Sequence, residues 1–372
     1  MNGRVATRSV RVACHRPQPP GSPCREETFT CSCRRRPGRP RPRGGRREPR
    51  QARGTHPLGA PRALRAPHHR AGGLHDANVF RKALLDSVLP LDGKAFQFLT
   101  GLAKELDCVI GGGFVAKRGK HAYGTYLLAE PGGAVHLSRQ GHPHRLGAQL
   151  LRWRRRRWRD RVRALGATVG LVSGWEWARM RTAARVRAAG AWLVLGGMCW
   201  PSFPTNWPGP LRALALLEDG KWRDQARELP GQVARLVGAP VAYASYVGPI
   251  VSDTPLAPGV PWKTTMIGET QICDRDGTML ARLAPEDGEG HAAAEVELRA
   301  PQPLDPIRDR FWIPGMSFVT HAAWHALNVH GSVRYRLRHA GGNFPWQNLP
   351  DTDLPDEIPV AAPARAPVTA AR

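Results

Sequence analysis

GWEWARMRTAARVRAAGAWLVLGGMCW, residues 174–200, is the stretch that decides the fold. Residues 175–189 are predicted to form a helix, and Gly190 is a suitable residue to end it. The short apolar runs on either side, 167–174 and 191–197, are predicted to be buried strands. A strand, a helix and a strand in this order are typical of an α/β protein, in which helices cover a sheet.

The same alternation extends in both directions along the chain. A helix is predicted at 95–106, where apolar residues recur on one stripe, and a buried strand at 108–116. Further on, the sequence predicts helical stretches around 210–237 and strands at 241–247 and 292–298. Hairpin turns are predicted at Pro131-Gly132-Gly133 and at Asp274-Arg275-Asp276-Gly277. The expected fold class is α/β, with a sheet of parallel and antiparallel strands beneath helices.

The formal net charge of +25 is concentrated in two segments of the 372-residue chain. Residues 1–75 hold eighteen arginines, no lysine and three glutamates, and residues 138–163 hold ten arginines, no lysine and one aspartate. The rest of the chain is close to neutral. We therefore expect a globular domain at 75–345, interrupted by an aberrant basic insert at 138–161. Residues 1–74, rich in Arg, Pro and Gly, are predicted to be disordered apart from a short strand at Val10–Ala13, and 346–372 to be a loose tail.

The second basic segment has the composition of a nucleic-acid-binding surface. Residues 150–163 read LLRWRRRRWRDRVR, which combines arginines for phosphates with tryptophans for base stacking. A nucleic-acid-binding protein that uses both basic segments is therefore one candidate function. A chain of this charge is also expected to bind nucleic acid without specificity.

Cysteine usage and apolar runs exclude other classes of protein. The seven cysteines form no disulfide framework or zinc pattern, and Cys108, Cys199 and Cys273 are predicted to be buried, reduced thiols. No apolar run approaches the ~18 residues that a membrane span needs, and the first thirty residues lack the hydrophobic region of a signal peptide. A cytoplasmic protein with no membrane partner is expected.

Two groups of side chains are candidates, one for a metal site and the other for the lining of a cleft. His321, His325 and His330 lie at helix-like spacings that suit two metal ligands, but no HExxH pattern accompanies them, and no metal site is predicted. Three tryptophans are candidates for lining a cleft, with core packing as the alternative: Trp200, Trp207 and Trp312.

The stretch 174–200 resembles the carbon–nitrogen hydrolases of the nitrilase superfamily, in which a strand ends in a Cys-x-Glu or Cys-x-Asp turn before a helix. KELDCVIGGGF (104–114) and GETQICDRDGTMLARL (268–283) resemble two further segments of that family. The resemblance implies a four-layer α-β-β-α sandwich, incomplete at its N-terminus. It also implies hydrolysis of a nitrile or a non-peptide amide, no metal or organic cofactor, and a homo-oligomer.

The three catalytic positions of the family are not preserved. The position of the nucleophilic cysteine is occupied by Gly174, with Ser173 and Glu176 nearby. Adjacent strand residues face opposite sides, so Ser173 is not expected to replace the cysteine, and Cys199 is expected to be a packed thiol. Glu176 is expected either beside the pocket or as a first-turn glutamate favoured by the helix dipole.

The other two catalytic groups should fall within the two basic segments. No lysine is present at 138–163, and the glutamates before Asp76 follow no apolar strand: Glu26, Glu27 and Glu48. The resemblance thus implies a hydrolase that is inactive as written, or a non-catalytic scaffold homologue, because the groups of a catalytic unit do not act alone.

The coincidence of the missing groups with the basic segments suggests the hypothesis that these segments are translated out of frame. Arg, Pro and Gly codons are GC-rich, and a one-nucleotide shift with freely chosen third bases permits HDKDIPTAWEHNFYAGDDDGG for 138–158. Its lysine falls across Gln140 and Gly141. The same shift permits DLVVVVENP for 41–49, an apolar strand that ends in glutamate across Arg47 and Glu48.

This hypothesis predicts the nucleotide sequence of the gene. Resequencing the coding DNA should place the lysine and glutamate codons in a frame shifted by one base, at both segments and in the same direction. An unshifted frame that is confirmed by tryptic peptides from 138–163 of the expressed protein would overturn it.

Overall fold

The structure, a computed structural model, describes residues 8–16, 30–35, 88–139, 159–254, 257–352 and 357–358. In this part of the chain, two sheets face each other across an apolar layer, and helices cover the outer face of each sheet. The predicted α/β class and four-layer α-β-β-α sandwich are therefore confirmed.

The first sheet contains eight strands. Seven of them lie side by side in the order β15 (Gly290–Leu298), β1 (Arg8–Arg16), β2 (Thr30–Arg35), β4 (Val109–Arg118), β5 (His121–Ala129), β6 (Val135–Arg139) and β16 (Glu357–Ile358). These neighbours are antiparallel. A short strand, β3 (Val88–Leu89), pairs in parallel with β4. The predicted hairpin at Pro131-Gly132-Gly133 is confirmed as the connection between β5 and β6.

The second sheet contains six strands, with a parallel centre. Their order is β14 (Met279–Leu283), β13 (Thr270–Cys273), β10 (Val241–Ser245), β9 (Leu193–Met198), β8 (Ala167–Ser173) and β7 (Arg159–Val162). Strands β8, β9 and β10 are parallel, so each successive pair needs a crossover connection. A separate hairpin consists of β11 (Val247–Thr254) and β12 (Ala257–Ile267).

Four α-helices complete the described architecture. They are α1 (Lys94–Glu105), α2 (Met180–Ala188), α3 (Gly209–Val237) and α4 (Phe318–Arg338). Helix α1 covers the outer face of the first sheet, while α2 and α3 supply the crossovers of the second sheet and cover its outer face. None of the described helices has the length and apolarity that a membrane crossing requires.

Side-chain alternation along β8 assigns each residue to one of two cores. Val169 and Leu171 are buried between the sheets, whereas Val172 is buried beneath the helices. Gly170 also faces the helices, and a Cβ atom there would lie 2.7 Å from a methyl carbon of Val186. Close packing of α2 on the sheet therefore depends on a glycine at this position.

The N-terminal segment contributes more of the sheet than its composition predicts. The strand predicted at Val10–Ala13 is confirmed and extends over Arg8–Arg16. Residues Thr30–Arg35, within the range predicted to be disordered, form β2 in the middle of the first sheet. Composition averaged over a Pro-rich segment hides this short run, which has neither Pro nor Gly and can pair on both sides. The rest of 1–74 lies outside the described residues.

The predicted helix at 175–189 is divided into two parts. Gly174–Glu176 form a 3-10 turn, and the α-helix begins only at Met180. Between them Arg179 is extended, at φ −100° and ψ 125°, and it forms an isolated bridge with Trp312. Backbone hydrogen bonds to the segment around residue 312 thus replace those of a continuous helix, a contact that local sequence does not reveal.

Packing of the chain continues past the predicted start of a loose tail at 346. Trp346 is buried, and the buried amino group of Lys117 donates hydrogen bonds to the backbone oxygens of Gln347 and Leu349. Glu357–Ile358 then add the short strand β16 to the edge of the first sheet. The described C-terminal residues are therefore fastened to the first sheet.

A buried carboxylate connects the two sheets. Glu130, at the end of β5, lies 2.8 Å from Nε2 of His136 in β6. Its two oxygens also accept hydrogen bonds from the backbone N–H groups of Arg163 and Ala164, in the turn between β7 and β8 of the second sheet. Burial alone raises the pKa of Glu130, but the hydrogen bonds from His136, Ala164 and Arg163 more than offset that effect and hold it below 4.5.

Glu130→Gln should destabilise the fold by about 1–3 kcal/mol, because an amide donor would face backbone donors in a buried position. Since the pKa of Glu130 is lower in the folded state, its contribution is complete above the unfolded value of about 4.5 and is lost as the pH falls further. The urea midpoints of the wild type and the variant should therefore approach each other as the pH is lowered. Glu105→Gln, at an exposed position, is the control, and a difference independent of pH would contradict this account of Glu130.

Candidate functional site

The candidate site lies where the parallel strands of the second sheet end. In the strand register Ser173 is opposite Gly197, and Ser245 is opposite Met198, so β8, β9 and β10 end at the same edge. Ligands of α/β sheets commonly bind at the carboxyl ends of parallel strands. The position at which the resemblance implies a nucleophile therefore lies at a favourable edge of the sheet.

Gly174 occupies this position and supplies no reactive atom. It follows β8 directly and opens the 3-10 turn with φ at +58°, in the left-handed region. A residue with a Cβ is strained in this conformation, whereas glycine adopts it freely. The sequence and the backbone at this point are mutually consistent, and glycine offers no nucleophilic side chain.

Three side chains with nucleophilic atoms flank this edge. Ser173 is half-buried in extended backbone, and strand alternation puts it on the side of Leu171, toward the space between the sheets. Cys199 is half-buried, forms no disulfide among the described residues, and packs against the core between the sheets. The hydroxyl of Ser245 is fully buried and donates to the backbone oxygen of Met198 at 3.0 Å. Cys199 is thus less buried than expected, whereas Cys108 and Cys273 are buried.

Glu176 is buried and contacts two side chains at the start of α2. Its carboxylate, 2% exposed, accepts a hydrogen bond from Nη1 of Arg179 at 3.1 Å and another from the hydroxyl of Thr182 at 2.7 Å. Removal of one partner from such a buried ion pair typically costs 3–5 kcal/mol. The contacts of Glu176 identify a carboxylate that stabilises the turn after β8 through a buried ion pair.

A second buried carboxylate near this sheet was missed by sequence reasoning. Glu269, 1% exposed and at φ +66°, accepts two hydrogen bonds from Arg282, at 2.6 and 2.7 Å, and one from Arg227 at 3.3 Å. Burial raises its pKa, but the hydrogen bonds and charges of the two arginines more than offset this and keep the pKa below its usual value. A carboxylate held by two cations is a weak proton acceptor and is unsuited to general-base catalysis. The only sequence signal for Glu269 is its place in the Glu-Thr pair near the start of the hairpin segment at 268–283.

The two other catalytic positions that the resemblance implies, those of the lysine and the glutamate, fall outside the described part of the chain. The lysine position at Gln140 and Gly141, together with Glu26, Glu27 and Glu48, lies outside the described residues. Most of the basic tract at 150–163 also lies outside them. The frameshift and the nucleic-acid surface therefore stay predictions.

The aromatic and histidine candidates are distributed between core and surface. Trp200 and Trp312 are buried in the core beneath the helices, while Trp207 is half-buried and packs edge-on against Trp262. His321 and His325 on α4 stack, with ring centroids 4.7 Å apart. Among the described residues, no group of three or more His, Cys, Asp or Glu side chains is arranged to hold a metal ion.

Comparisons with known proteins find resemblance only among solved structures. No protein-family model matches the sequence, and no curated protein matches it. A carbon–nitrogen hydrolase superfamily protein from Xanthomonas campestris, with an arsenic adduct in its active site, is 19% identical. The matched region covers 57% of this chain and 71% of that one, with a TM-score of 0.41.

Two further structures give similar values. A branch 10 member of the nitrilase superfamily from Saccharomyces cerevisiae is 16% identical, with 59% of this chain and 71% of that one covered and a TM-score of 0.42. An amidase from Nesterenkonia sp. is 16% identical, with 62% and 72% covered and a TM-score of 0.40. At such identities and TM-scores, neither substrate nor activity carries over to this chain.

The left-handed backbone at Gly174 predicts the effect of adding a side chain there. Gly174→Ala should lower the free energy of unfolding by about 1–2 kcal/mol, because a Cβ is strained at positive φ. Gly101→Ala is the matched control, since Gly101 is exposed on α1 with open space around it and should gain up to about 1 kcal/mol from the better helix former. Urea unfolding of both variants measures the difference, and equal effects would contradict this interpretation of the turn.

Proposed function

We propose that this chain is a carbon–nitrogen hydrolase-like protein that does not hydrolyse nitriles or amides as it is written. The observation that carries the proposal is Gly174 at the end of β8, where the resemblance requires a cysteine. Without that thiol, no covalent bond to a substrate carbon can form at this position.

The neighbouring side chains support the same conclusion. Both oxygens of Glu176 are engaged by Arg179 and Thr182, and the hydroxyl of Ser245 is engaged by a backbone oxygen. Ser173 and Cys199 remain as nucleophiles at the strand ends. Either would still need the lysine and glutamate that the family uses, and the members of a catalytic unit are strongly non-additive.

Ammonia release from acetamide, benzamide and benzonitrile tests the proposal on the purified full chain. We expect no release above that of the heat-denatured protein. Gly174→Cys should remain inactive as well, because the thiol would lack a base and an oxyanion donor, and loss of a nucleophile or its base alone costs on the order of 10⁶ in rate.

Two further variants make a positive result decisive. Ser173→Ala and Cys199→Ala remove the nucleophiles at the ends of β8 and β9. Turnover by the chain that disappears in one of these variants would contradict the proposal and identify the reactive group.

A further inference from the structure

Arg179 is a buried cation with donors that no described residue uses. Its side chain is 5% exposed, and Nη1 donates to Glu176 at 3.1 Å. Nε and Nη2 are buried and have no hydrogen-bond partner among the described residues. These two atoms are adjacent N–H donors on one edge of the planar guanidinium, the geometry that binds both oxygens of a carboxylate at once.

Aromatic rings frame this guanidinium and separate it from solvent. Its central carbon lies 5.0 Å from the ring centroid of Trp324 and 5.3 Å from that of Phe311. Trp324 is buried, whereas Phe311 is 39% exposed. Phe311 is therefore the more exposed of the two rings that contact Arg179.

Two imidazoles lie at the outer rim of the same group. The ring of His325 is 5.2 Å from Phe311 and 4.7 Å from His321, and the ring of His321 is 6.2 Å from Phe311. His325 is exposed and His321 is half-buried. Both rings thus lie next to Phe311, and at least one of them is open to solvent.

Electrostatic interactions join these side chains. Burial, followed by the charges of His321 and Arg179, lowers the pKa of His325. The charge of Arg185 on α2 also acts on Arg179, and the carboxylate of Glu176 opposes this effect. An anion bound beside Arg179 would therefore also interact favourably with His325 when that imidazole is protonated.

We propose that Arg179, His321 and His325 form a binding site for the carboxylate of a small aromatic acid. The carboxylate binds Nε and Nη2 of Arg179, and its ring packs against Phe311 after that side chain has moved. The imidazole of His325 contributes when it is protonated, so binding strengthens as the pH falls. The site is independent of hydrolysis at Gly174 and of the basic segments.

Titration of the full chain with benzoate tests the proposal, with tryptophan fluorescence as the readout because Trp312 and Trp324 border the site. Acetate, inorganic phosphate and chloride at constant ionic strength are the comparison anions. We expect saturable binding that is tightest for benzoate and that weakens by about fivefold as the pH rises from about 5 to about 8, since the imidazole of His325 loses its charge. An equal response to chloride would overturn the proposal.

Variants distinguish the three groups of the site. Arg179→Lys keeps the charge but removes the two-donor edge and should weaken benzoate binding by about tenfold or more. His325→Asn should leave binding at high pH unchanged and reduce the pH dependence to about twofold or less. His330→Asn, on the same helix but outside the cluster, is the matched control and should bind as the wild type does.

Phe311→Ala provides a test that does not depend on the stability of Arg179 variants. Removal of the covering ring should accelerate benzoate association in stopped-flow fluorescence. Unchanged association, or unchanged pH dependence in His325→Asn, would contradict the proposal even if Arg179→Lys failed to fold. Circular dichroism of each variant verifies the fold.

Discussion

Burial of one apolar layer between the two sheets is the constraint on which the rest of the structure depends. A strand places alternate residues on opposite faces, so a shift of β8 by one residue would exchange Leu171 with Val172 and expose the wrong set to each core. This register fixes where β8 ends and therefore where Gly174 turns the chain. The buried carboxylate of Glu130 strengthens the same arrangement, because its hydrogen bonds hold the first sheet against the turn that leads into β8.

Local sequence patterns were sufficient to predict the elements that depend on near neighbours. The strands β8 and β9, helix α1 and both glycine-containing hairpins follow from periodicity and turn residues within a few positions. The bridge from Arg179 to Trp312 was not predictable in this way, because its partners are far apart in the sequence. Strand β2 was missed for a related reason, since its stability comes from pairing with β1 and β4 on its two sides.

The candidate site could be placed from sequence only as far as its backbone. Strand β8 lies where the sequence predicts a strand, and Gly174 and Glu176 follow it directly, whereas the left-handed conformation of Gly174 was not predicted. The ion pair between Glu176 and Arg179 could not be predicted from the sequence, because it requires the extended backbone that interrupts the predicted helix. The described residues thus form the predicted strand, followed by a tight turn and a helix, and the loss of the catalytic groups that the resemblance implies stays a prediction.

The attachment of the C-terminal residues has a consequence for fragment design. Lys117 is buried under backbone oxygens contributed by residues 347 and 349, and Trp346 donates its indole N–H to the backbone of Lys120. A fragment that stopped at residue 345 would lack the backbone acceptors of the Lys117 ammonium group and would uncover the apolar surface formed by Val115, Ala122 and Phe344. Such a fragment would expose aggregation-prone surface on the first sheet, so a shortened version of this protein should retain the residues through at least 352.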